Sequence, residues 1–86
     1  MKSTRELIAE ELRSIRAIKK VSIEKVAEES QVNKDTISRY ENNLTSMQID
    51  ILEKLLTYYD INFDIFFKNI YAKKHNILNH LKEKEE

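Results

Sequence analysis

Not one of the 86 residues is glycine or proline. Glycine supplies left-handed backbone at turns and proline fixes φ, so most tight turns use one or the other. Hairpins depend heavily on such residues. A chain lacking both is best built from helices joined by short connections. The apolar residues agree: they recur three and four positions apart, and the alternation of a half-buried strand appears nowhere. The sequence predicts an all-α fold.

The length suits one domain with a modest core. There is no cysteine, so disulfides and thiolate zinc sites are excluded. This fits a reducing compartment, and a cytoplasmic location is expected. No apolar run approaches the roughly 20 residues of a membrane span, and no secretory signal pattern is visible. No membrane partner is expected.

The first helix is expected at residues 4–19, with Ile8, Leu12, Ile15 and Ile18 at helical spacing and Leu7 beside them. Ser3 or Thr4 suits its start and Lys19 and Lys20 its end. Three later helix starts use one device, an apolar residue before a polar cap and a second apolar residue five positions on. The sets are Val21-Ser22 with Val26, Val32-Asn33 with Ile37, and Ile61-Asn62 with Phe66. A further helix is expected over 47–59, its apolar side formed by Ile49, Leu52, Leu55, Leu56 and Tyr59. Thr45, Ser46 and Gln48 compete as its cap. From Asn62 onward Phe63, Phe66, Phe67, Ile70 and Tyr71 give a strongly apolar face. After residues 73–76, Ile77, Leu78 and Leu81 resume it, and the chain ends in a charged tail.

The stretch from Val21 to Asn42, VSIEKVAEESQVNKDTISRYEN, carries the functional reading. It predicts two short helices joined by a tight turn. In the second, Asp35, Ser38, Arg39 and Asn42 form one polar stripe, and Ile37, Tyr40, Glu41 and Leu44 follow the same spacing on the opposite side. A helix with an apolar back and a hydrogen-bonding front can be held on a core while its front meets base edges and phosphates. A solvated helix face gives the same periodicity.

These residues resemble the lambda-repressor-like, or xenobiotic-response-element, Cro/repressor-type helix-turn-helix regulators. The resemblance lies in Ser22-x-x-x-Val26-Ala27 followed by Val32-Asn33-Lys34-Asp35-Thr36-Ile37-Ser38-Arg39-Tyr40-Glu41, and runs from about Leu12 to Phe67. It implies a compact five-helix DNA-binding domain at residues 1–69, here followed by a C-terminal helical extension at 70–86. It also implies that helix 33–42 enters the major groove. Asn33 and Lys34 would stand at the head of that helix, Asp35, Ser38 and Arg39 would face the groove, and Thr36 and Asn42 would approach the sugar-phosphate backbone. Arg39 is the strongest base-contact candidate, because its planar fork can take guanine O6 and N7 together. The resemblance further implies an ion pair between Arg16 and Glu41, which would relieve the cost of an inward carboxylate.

The chain departs from that family at three places. Ile23 stands where a phosphate-holding Gln is common. Gln31 and Asn43 stand where Gly is common, and left-handed backbone costs Gln31 roughly 1–2 kcal/mol while Asn tolerates it better. Charge adds a further tension: 15 basic and 15 acidic residues give a net charge of zero, and the first 42 residues hold 9 basic and 8 acidic side chains. Nucleic-acid binders usually show a basic excess. A DNA surface here must come from arrangement.

His75 and His80 are five apart and share no helical face, so no metal site is expected. No nucleophile–base constellation and no phosphate-cradling glycine loop is visible; neither an enzyme nor a cofactor is expected. A single reading helix covers few base pairs, so such regulators pair to read two half-sites. Ile70, Tyr71, Ile77, Leu78 and Leu81 continue past the expected core and are the expected homodimer interface, the rival being that the tail folds back on its own bundle. The expected function is a sequence-specific regulator on a double-stranded DNA operator, a repressor. The alternatives are an antitoxin or other protein-binding module of the same fold, gripping its partner through the aromatic C-terminal half, and the DNA-binding part of a peptide-responsive regulator with a protein or peptide effector.

Overall fold

The computed structural model describes residues 2–73. They form α1 (Thr4–Lys19), α2 (Ile23–Ser30), α3 (Lys34–Glu41), α4 (Ile49–Tyr58) and α5 (63–73). No strand occurs among the described residues.

Each early helix starts on a side-chain cap. The Ser3 hydroxyl accepts the Glu6 N–H at 3.1 Å, Ser22 accepts that of Lys25 at 3.1 Å, and the Asn33 side-chain oxygen accepts that of Asp35 at 2.8 Å. These bonds satisfy amides that the helix itself leaves unpaired. The α4 start has no such bond from Gln48, which explains why its cap could not be read from the sequence.

The connections show how the chain turns without glycine. Lys20, Gln31, Asn43 and Asp60 all adopt left-handed backbone, with φ between 55° and 62°. After α1, the Lys20 N–H donates to the Ala17 carbonyl and the Val21 N–H to the Arg16 carbonyl. The same pair of bonds follows α3 at Asn43 and Leu44, and α4 at Asp60 and Ile61. This double bond is the Schellman closure of a helix. The residues before α2, α3 and α5 then repeat one triplet: Lys20-Val21-Ser22, Gln31-Val32-Asn33 and Asp60-Ile61-Asn62. The left-handed residue ends one helix, the polar residue starts the next, and the apolar residue between them packs against the core.

The core draws on every helix: Leu7, Ile8, Leu12 and Ile15 of α1, Val26 of α2, Ile37 and Tyr40 of α3, Leu52, Leu55 and Leu56 of α4, and Phe66 and Ile70 of α5, with Val32 and Tyr59 from the connections. Each large apolar side chain buried this way contributes about 1.5–3 kcal/mol before the cost of ordering it. The α3 helix packs on both α1 and α2, and α2 packs on α4. The Lys73 ammonium reaches Glu11 at 2.5 Å, tying the end of α5 to α1.

Four expectations are corrected here. Leu44 was expected on the inward side of the second helix but is 72% exposed. Helix α3 stops at Glu41, and left-handed Asn43 turns Leu44 away before the helical spacing reaches it. Ile18 and Ile49 are also exposed, because they sit on the last and first turns of their helices, beyond the neighbours that cover the helix centres. Ile70 was expected at a dimer interface but is 2% exposed within this chain's own core; α5 runs unbroken through 69 and 70. Tyr71, next along, is 64% exposed. Ile77, Leu78 and Leu81, with His75 and His80, lie outside the described residues.

Candidate nucleic-acid interface

The α3 helix is short, and three inward residues fix its rotation. Ile37 and Tyr40 are buried among apolar neighbours. The Tyr40 hydroxyl accepts the backbone N–H of Gln48 at 2.8 Å, which holds the loop between α3 and α4 against the helix. Glu41 is 3% exposed, and both its oxygens accept from the Arg16 Nε, at 2.9 and 3.2 Å. The hydrogen bond that Arg16 donates to Glu41, and then the negative charge of Glu41, raise the already high pKa of Arg16.

With that back fixed, the front follows. Asn33, Lys34, Asp35, Arg39 and Asn42 are exposed, and Thr36 and Ser38 are partly so. All seven expected DNA residues thus reach the surface around one helix. Two of them also serve the helix itself. Asn33 caps its start, and the Asn42 amide donates to the Ser38 carbonyl at 2.8 Å, closing its end. The two cations differ. Lys34 is paired with Glu24 of α2 at 2.9 Å, whereas Arg39 makes no ion pair among the described residues. Its guanidinium is free to present its fork.

Sequence reasoning missed part of this surface. Arg39 and Thr36 share a shallow concavity of about 230 Å³ with Tyr40, Thr45, Ser46, Gln48 and Ile51. The polar run Thr45-Ser46-x-Gln48 is the signal for it in the sequence, where it reads equally as a set of competing helix caps. Glu24 was missed as well. Its partner lies ten positions along, across a turn, and no helical spacing reveals such a pair.

Two short helices joined by Gln31-Val32-Asn33, the second offering a polar face from a buried back, define a helix-turn-helix protein. The helix-turn-helix family model matches residues 12–66, and the chain belongs to that family, in its lambda-repressor-like, Cro/C1-type class. It is a DNA-binding domain family, of the transcription-regulator type. No curated protein and no solved structure matches the chain. Among the described residues, no helix is long and apolar enough to cross a membrane.

Proposed function

We propose that this protein is a sequence-specific regulator of double-stranded DNA, a repressor that lays α3 in the major groove of an operator. The carrying observation is the Arg39 guanidinium, exposed and without an ion pair among the described residues, on a polar face whose back is locked by Ile37, Tyr40 and Glu41. Arg39 reads a guanine edge; Ser38 and Asp35 face neighbouring bases; Asn33, Lys34, Thr36 and Asn42 position the helix on the backbone. Phosphate contacts set register and base contacts set sequence. Thr45 and Ser46, which line the same concavity as Arg39, extend the polar surface beyond the helix.

Two copies are needed to read half-sites about 34 Å apart. The exposed Tyr71 supports a homodimer through the C-terminal segment, with Ile77, Leu78 and Leu81 completing the interface and Ile70 confined to the core. The same aromatic end favours the second reading, a protein-binding module such as an antitoxin, or one responsive to a protein or peptide effector.

Selection from a pool of random-sequence duplexes tests the first reading. The expected outcome is enrichment of a pseudo-palindromic site that the full chain shifts in a gel against excess competitor. Recovery of no preferred sequence would remove the operator reading and leave the protein-binding module.

A further inference from the structure

The two cations of α3 are not equivalent, and the difference lies in Glu24. The Lys34 ammonium stands 2.9 Å from a Glu24 carboxylate oxygen, and both side chains are exposed. Lys34 first, and then the backbone amide at the head of α2, hold the Glu24 carboxyl below its usual pKa. The residue beside it, Ile23, offers no polar side chain. The ammonium beside this carboxylate is the kind of group a DNA phosphate oxygen would meet. Arg39, five residues further along α3, has no such partner among the described residues.

We propose that Glu24 is an intramolecular stand-in for a backbone phosphate: it occupies Lys34 in the free protein and is displaced by DNA. The inference rests on the DNA-binding reading above. An exposed ion pair is worth well under the free energy of a phosphate contact made with counterion release, so DNA displaces it at modest cost. That cost falls equally on every sequence, because Lys34 meets the backbone. Base readout by Arg39 is untouched. Glu24 therefore lowers affinity for all DNA while leaving discrimination to Arg39, in keeping with a chain of zero net charge.

The test is a fluorescence-anisotropy titration across a salt series, using the selected duplex and a scrambled one. Wild type, Glu24→Gln, Lys34→Ala and the double variant are compared, with a thermal melt of each to show that it is folded. Glu24→Gln is expected to bind both duplexes about two- to fivefold more tightly, with a log–log salt slope close to that of wild type, because Lys34 meets the same phosphate in both complexes. In the Lys34→Ala background the same substitution is expected to leave affinity unchanged. Unchanged affinity for Glu24→Gln would overturn the proposal. So would equal tightening in the Lys34→Ala background, which would mark Glu24 as a carboxylate that merely repels DNA. Failure of all four proteins to bind any duplex would overturn the DNA-binding reading itself, and this inference with it.

Discussion

Arg16 and Glu41 lock α1 to α3. The Arg16 Nε donates to both Glu41 oxygens, at 2.9 and 3.2 Å, and its Nη1 donates to the Val21 carbonyl at 3.1 Å. One guanidinium thus joins three parts of the fold: the last turns of α1, the connection into α2, and the end of α3. Glu41 needs this partner for two reasons. It is nearly out of water, and it sits at the negative end of its helix dipole.

Glu41→Ala is accordingly expected to destabilise the domain much more than Asp35→Ala. Breaking a fully buried pair costs about 3–5 kcal/mol. The Arg16 side chain is 26% exposed, so water partly recovers its charge and the loss falls toward the lower end of that range. Asp35 is exposed on the first turn of α3, and its removal is expected to cost under about 1 kcal/mol. Melting temperatures of the two variants decide this; equal small shifts would contradict the role given to the pair.

The left-handed residues give a prediction of opposite sign. Lys20 and Gln31 hold φ of 56° and 62°, a conformation that costs a residue with a Cβ roughly 1–2 kcal/mol and glycine almost nothing. Glycine also gives the unfolded chain more freedom, which returns part of the gain. Lys20→Gly and Gln31→Gly are each expected to stabilise the domain by about 0.5–1 kcal/mol, or roughly 2–8 °C in melting temperature. A lower melting temperature for both would show that these side chains contribute contacts worth more than the strain.

Tyr59 predicts an alkaline limit. It is 2% exposed, and burial, with the negative charge of Glu41 as a second cause, pushes its hydroxyl up to about 12. An unfolded tyrosine gives up its proton near pH 10. The folded state therefore holds the proton more tightly, and this contribution is complete below about pH 10 and is lost as pH rises toward 12. Urea midpoints should fall across that window, by up to about 2.5 kcal/mol in stability. In Tyr59→Phe that part of the slope should vanish, leaving the smaller contribution of Tyr58, whose hydroxyl is raised by its hydrogen bond to Glu29. An unchanged slope would contradict the assignment.

How much of this was legible in the sequence depends on how local each cause is. Ser22 and Asn33 were readable as caps, and Val26 and Ile37 as the buried residues that follow them, because a helix start is decided within five residues. Glu41 and Arg16 were readable through the family resemblance, not through spacing alone. Leu44 was misread because its direction depends on the backbone of Asn43, where one left-handed residue ends the helical count. Ile70 was misread because its burial depends on how α5 packs into the core, which no spacing within α5 records. The Glu24–Lys34 pair, and the polar wall of Thr45, Ser46 and Gln48 beside Arg39, arise where separate segments meet. No periodicity within one segment records them.

Reading of DNA by α3 through Arg39 is tested most directly by equilibrium binding of wild type and Arg39→Ala to the selected duplex, beside single-base variants of it. Arg39→Ala is expected to weaken binding by roughly 1–3 kcal/mol and to lose preference at one base pair per half-site while keeping it elsewhere. Both proteins should show binding that weakens linearly in log–log form with salt, by about 0.9 per phosphate neutralised. Equal affinity and equal base preference for the two proteins would contradict that role of Arg39.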